Sequence, residues 1–266
     1  MGSTPSCTGF RQQRTDDIVT FKDLFSERAA QYTRFRPDYP AELIEFVASL
    51  AARRELAWDC GTGNGQAAYA LGAHFDKVIA TDASAQQIAH ARQHPHVEYR
   101  VARAEDSGLP DGCADLVTVA QALHWFDANA FHAEAKRVLK PNGAIAIWSY
   151  GDPSLDDPAA DAILQRFNFE TMEKYWPVER AGVRDAYHSK PLPFEETPAP
   201  SFVLERSWTR AELVGYIGSW SAVARYRSLN GDDPIPIIDA ELARVWNDAT
   251  AHVVRWPITL RAGRRG

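Results

Sequence analysis

Three glycines at alternate positions, Gly61, Gly63 and Gly65, constrain this chain more than any other feature. They follow the short run Ala57-Trp58-Asp59-Cys60 and precede helical spacing over residues 66–73. That order predicts a strand, a tight turn and a helix start. Residues without a Cβ let backbone pass close to a ligand and tolerate positive φ. The helix that follows turns its free N–H groups toward the same place. Asp59 then stands at a strand end, where open α/β sheets put their binding crevice.

The spacing carries further information. A dinucleotide fingerprint needs G-x-G-x-x-G and a later acid for the ribose. Here the run is G-x-G-x-G, and Gln66 occupies the place of the third glycine. Asp82 closes the next apolar run, Lys77-Val78-Ile79-Ala80-Thr81, and suits a two-point grip on a ribose diol. That acid serves either class of ligand, so the glycine spacing is what discriminates.

Composition narrows the classes. A chain of 266 residues holds one sizeable α/β domain, or one domain with a small cap. The formal charge of −6 argues against a general nucleic-acid binder, which shows a basic field. No apolar run approaches the roughly 20 residues of a membrane helix, and residues 1–14 lack an apolar signal core. Cys7, Cys60 and Cys113 are too few and too scattered for a disulfide framework or a zinc site. A reducing cytoplasm is the expected compartment. His94-Pro95-His96 looks like a metal pair, but no third ligand has matching spacing, so no metal is expected.

Taken in order, residues 1–17 read as a flexible tail and 21–32 as an amphipathic helix. Tyr32-Thr33-Arg34-Phe35-Arg36-Pro37-Asp38-Tyr39-Pro40 is a stiff aromatic and basic elbow, because each proline holds its predecessor extended. A helix over 41–54 leads into the first strand. Strands are expected at 75–81, 97–101, 114–120 and 144–150, the one at 114–120 near-continuously apolar, as a buried parallel strand should be. Ser84, Asp127 and Thr209 are expected helix caps, with Glu212 completing a capping box. Gly143 is expected to turn the chain after the helix over 128–139. Residues 151–200, rich in proline and aromatics, suit an insertion that roofs a pocket. A helical stretch is expected inside it at 159–176. Residues 201–207 and 253–260 read as closing strands, with a helix at 239–249 between them.

At this point the chain resembles a known family. Residues 58–66 look like the E/DxGxGxG turn of class I S-adenosylmethionine-dependent methyltransferases. Ala120-Gln121-Ala122-Leu123-His124-Trp125-Phe126-Asp127 is similar to the A-x-A-x-H-W-F-D segment of a small-molecule branch that includes trans-aconitate methyltransferase-like proteins. Tyr32 to Pro40 and Ser219-Trp220-Ser221 resemble further segments of that branch. The likeness spans about residues 21–261.

The resemblance implies a Rossmann-like, doubly wound α/β sheet of seven strands, the last antiparallel, with a helical lid and cap. It implies S-adenosyl-L-methionine as cofactor, held by Asp59, Gly61, Thr62, Gly63, Gly65, Gln66, Asp82, Ala83, Ala104, Glu105 and Gln121. Tyr32 and Arg36 would cover it, or else pack and pair within the elbow. Arg103 stands where the family often has an aspartate, so Glu105 or Asp106 would meet the adenine. His124, Trp125, Trp220 and Arg225 would line the pocket of a small-molecule acceptor, with neither nucleic acid nor membrane as partner. His124 would act as a general base or only shape that pocket. Arginine forks (Arg34, Arg36, Arg225, Arg227) favour a carboxylate acceptor, while the aromatic residues suit a planar one. The chain divides on this reading into a tail (1–17), a cofactor core with a lid helix (18–150), a cap insertion (151–200) and a closing segment (201–266). A catalytically silent binder of the same cofactor, or less readily a nicotinamide-dependent oxidoreductase, remains as an alternative.

Overall fold

Period-two alternation along buried strands sets the layers of this molecule. The structure is a computed structural model that describes residues 37–266. The tail, the helix expected at 21–32, and Tyr32, Arg34 and Arg36 lie outside the described residues. In β5 (Leu139–Tyr150), Ala144, Ala146, Trp148 and Tyr150 join one hydrophobic cluster, and Ile145 and Ile147 join a second. Both faces of the sheet are therefore covered, the usual condition of parallel strands.

β1 (Leu56–Cys60), β2 (Lys77–Asp82), β3 (Val97–Val101), β4 (Ala114–Ala120) and β5 pair in parallel in the order 3-2-1-4-5. The long β9 (His252–Arg264) runs antiparallel to β5, and β8 (Phe202–Trp208) pairs antiparallel with β9. These are the seven strands expected. Two short strands, β6 (Ser154–Leu155) and β7 (Glu195–Thr197), also pair with β9. β5 and β8 both pair with Ile258, so they lie on opposite edges of β9.

The expected caps form. Ser84 accepts from the Gln87 N–H at 3.3 Å, Asp127 accepts from Asn129 and Ala130, and Thr209 with Glu212 makes a capping box. Three local expectations are corrected. The left-handed residue after the helix Ala128–Val138 is Asn142, with φ of 61°, and not Gly143. A side chain at 143 would crowd the Lys140 carbonyl at 2.9 Å, so glycine is there for space. The helix expected at 239–249 spans Ile235–Leu242, because Pro236 sits in its first turn, where a missing N–H costs nothing. The stretch expected at 159–176 is the α-helix Pro158–Arg166, continued by a π turn over Phe167–Thr171 and a 3₁₀ turn over Glu173–Tyr175.

Between β5 and β8 the chain also forms a 3₁₀ turn, Val178–Arg180, that packs against the turn Leu123–Trp125 following β4. This contact brings residues far apart in sequence to the carboxyl end of the parallel strands. Among the described residues, no helix is long and apolar enough to cross a membrane.

Candidate active site

Gly61, Gly63 and Gly65 all hold left-handed backbone, with φ of 68°, 56° and 83°. They differ in what surrounds them. A Cβ on Gly61 would lie 2.6 Å from the Ala122 methyl, and one on Gly65 would overlap the Tyr99 phenol. One on Gly63 would meet no atom of the described residues within 4 Å. The outer glycines are packed from within, and the middle one faces open space where a ligand can approach.

Asp59 is fully buried, and its two oxygens accept from the hydroxyls of Thr62 at 2.6 Å and Thr118 at 2.7 Å. Burial pushes its carboxyl up to about 6, against the opposing hydrogen bonds from Thr62, Thr118 and the Ala68 backbone. The expectation of a direct ligand contact is therefore corrected: Asp59 ties the glycine turn to β1 and β4 from beneath. Thr62 is buried with it, and its N–H donates to the Thr81 carbonyl at 3.0 Å.

Asp82 is half-buried at the end of β2. One oxygen accepts the Gly63 N–H at 2.9 Å and the other the Ser84 N–H at 2.8 Å. Each oxygen keeps a lone pair for a further donor. Burial raises its carboxyl, which the two backbone bonds partly offset. Ala83 beside it is exposed, and Gln66 opens the helix Gln66–Leu71 behind Gly65.

Across the crevice, Gln121 sits at the end of β4 with φ of 55°, unusual for a residue with a side chain. Its amide donates to the Tyr150 carbonyl at 3.2 Å, while its Oε1 is buried with no partner among the described residues. An orphaned acceptor there suits a ligand that carries a hydrogen-bond donor. Ala104 is buried, and Glu105 accepts from the Asp127 N–H at 3.0 Å and from Arg103 at 3.2 Å. Glu105 thus ties the loop after β3 to the loop that carries His124.

His124 lies in the turn Leu123–Trp125, with its Nδ1 3.0 Å from the Tyr187 hydroxyl. Burial, with the cations of Lys190 and Arg180 nearby, lowers its imidazole to about 4. A group that acidic is a poor proton acceptor at neutral pH, where the best catalytic bases titrate near the working pH. Trp125 packs beside it with its ring tilted by 45°, 40% exposed. Near this turn is a cavity of about 450 Å³ lined by Trp176, Val178, Arg180, Ala181 and Arg184, among others. Arg180 stacks on Trp176 at 3.7 Å and pairs with Asp152, yet its Nε is buried without a partner among the described residues.

Two expected acceptor residues are placed elsewhere. Trp220 is 2% exposed in the core, packed on Trp176, Tyr216 and Phe167. Arg225 is exposed on the helix Ser221–Asn230, and Arg227 is held by a two-point pair with Asp233. Thr118, Tyr187 and Arg180 were not anticipated. Thr118 left a signal, a lone hydroxyl in an apolar strand. The other two sit in a stretch without periodicity.

The described residues thus present an open glycine turn, an acid with free lone pairs, and an orphaned amide oxygen. The set fits an adenosyl ligand bearing an amino-acid tail. Comparison with known proteins agrees. Residues 58–147 match the family described as a methyltransferase domain. A candidate methyltransferase of Dictyostelium discoideum is 37% identical over 229 residues, 85% of this chain and 87% of its own. A methyltransferase of Aspergillus candidus is 33% identical over 54% of this chain and 48% of its own. The structure of a candidate type II methyltransferase from Anaeromyxobacter dehalogenans matches with a TM-score of 0.81 at 40% identity, over 87% of this chain and 98% of that one. The chain belongs to the class I S-adenosylmethionine-dependent methyltransferases. It is an enzyme that uses S-adenosylmethionine, which sets aside both the nicotinamide and the silent-binder alternatives.

Proposed function

We propose that the enzyme methylates a small molecule carrying a carboxylate, as the resemblance to trans-aconitate methyltransferase-like proteins suggests. One observation carries the reading: the cavity of about 450 Å³ lined by residues of 173–185, whose turn Val178–Arg180 packs on the turn bearing His124. A depression of that size suits a small acceptor better than a protein or nucleic-acid chain. The overall charge of −6 points the same way.

In this reading Gly61, Thr62, Gly63, Gly65, Gln66, Asp82, Ala83, Ala104, Glu105 and Gln121 surround the cofactor. Asp82 takes the ribose hydroxyls, and Gln121 Oε1 takes the ammonium. When bound, the cofactor would supply a methyl group activated by a positively charged sulfur. The protein's share is alignment and exclusion of water, worth up to about 7–11 kcal/mol in favourable cases. Support for a carboxylate shifts from Arg225 to Arg180, a cation that lines the cavity.

The test is incubation with methyl-labelled cofactor and three acceptor pools: small organic acids, protein and nucleic acid. Label in a small product that releases methanol in base marks a methyl ester. Label confined to protein or nucleic acid would overturn the reading.

A further inference from the structure

The pairing of Tyr187 with His124 has no place in the reading above, and its construction is unusual. Tyr187 is 2% exposed, and it follows Ala186 in a consecutive pair of left-handed residues, with φ of 58° and 59°. Side chains seldom adopt that backbone, so the surroundings must hold it. They do so at several points. Arg261 of β9 donates to the carbonyls of Tyr187 at 2.8 Å and Lys190 at 2.7 Å. The Tyr187 N–H donates to the Gly182 carbonyl at 2.8 Å, and Lys190 Nζ donates to the Leu123 carbonyl at 3.2 Å. The phenol is thereby fixed against the imidazole, the two rings nearly parallel at 17°.

The direction of the hydrogen bond follows from satisfaction of buried groups. A buried hydroxyl proton needs an acceptor. Among the described residues, the acceptor the Tyr187 oxygen reaches is the Nδ1 of His124, at 3.0 Å. Were Nδ1 protonated, the phenol would accept there and its own proton would be stranded. Burial also keeps the phenol protonated, well above its ordinary range. The neutral ring then carries its proton on Nε2, which has no partner among the described residues and is not sealed in the protein.

We propose that Tyr187 is a positioning residue that makes His124 a hydrogen-bond donor through Nε2, so that the enzyme selects acceptors which arrive with no proton to lose. This rests on the reading of His124 as part of the acceptor site. A ring already protonated at Nε2 can hold an anionic oxygen and cannot take a proton through that atom. A carboxylate satisfies the requirement, and a neutral alcohol or phenol does not.

The test reads the tautomer directly, by two-bond proton–nitrogen correlation NMR on the ¹⁵N-labelled enzyme, with the His124 signals assigned by loss in His124→Gln. A bare Nδ1 and a protonated Nε2 are expected, and Tyr187→Phe should move the proton toward Nδ1 or mix the two forms. A protonated Nδ1 in the wild type overturns the proposal. This arm needs no acceptor, so its failure is separate from a failure of the small-acid reading. With an acceptor in hand, His124→Gln, whose amide N–H reaches as far as Nε2, should keep about ten times more kcat/KM than His124→Asn, the scale of one hydrogen bond. Equal loss in both would return His124 to the role of base.

Discussion

The carboxylate of Asp82 accepts the backbone N–H of Gly63 at 2.9 Å, joining the end of β2 to the middle of the glycine turn. The acid that would take the ribose thus also holds the turn that lets the cofactor approach. Asp82→Ala removes both. Cofactor affinity should fall by about 10- to 100-fold, the worth of hydrogen bonds to a charged group. Calorimetric titration with S-adenosylmethionine and S-adenosylhomocysteine checks this. Unchanged affinity would remove Asp82 from the site.

The glycines of the turn should separate in mutagenesis. Gly61→Ala meets the Ala122 methyl at 2.6 Å as well as an unfavourable φ. It should cost about 2–5 kcal/mol in stability. Gly63→Ala meets only the φ, about 1–2 kcal/mol, but should weaken cofactor binding beyond its effect on the fold. Thermal melts with and without cofactor distinguish the two losses.

Asp59 predicts a pH dependence. Its carboxyl titrates at about 6 in the fold against 3.8 for the free group, so the folded state holds its proton over a range where the unfolded state has lost it. Stability from this group is therefore present below about pH 4 and lost as pH rises through about 6, by up to about 3 kcal/mol. Asp59→Asn should remove that slope. Denaturant melts of both proteins at pH 4.5 and pH 7 provide the check, and equal slopes would contradict it.

Two tryptophans should behave oppositely. Trp220→Ala opens the core and should cost about 3–5 kcal/mol. Trp125→Ala, at a 40% exposed position beside His124, should change stability by about 0.5 kcal/mol or less and raise the KM for the acceptor. A stable Trp220→Ala variant with a raised acceptor KM would restore Trp220 to the pocket.

Much of this was legible along the chain. The glycine turn, the acid closing β2, the buried strands and the caps at Ser84, Asp127 and Thr209 are local facts. Each depends on residues within a few positions, whose backbone preferences and periodicity act before any tertiary contact. Side-chain roles depend on which distant elements meet. Asp59 looked like a ligand contact until Thr62 and Thr118 enclosed it. Trp220 looked like a pocket wall until Trp176 and Tyr216 packed around it. Tyr187 stood 63 residues from His124 with nothing local to mark it. The sequence by itself determined the parallel strands and the glycine turn, because these follow from short-range sterics and the pattern of burial, and its motifs carried the resemblance that implied the cofactor. Only the tertiary structure decided which polar atoms are used up inside the protein and which remain open to a ligand, because burial and hydrogen-bond satisfaction belong to the packed whole.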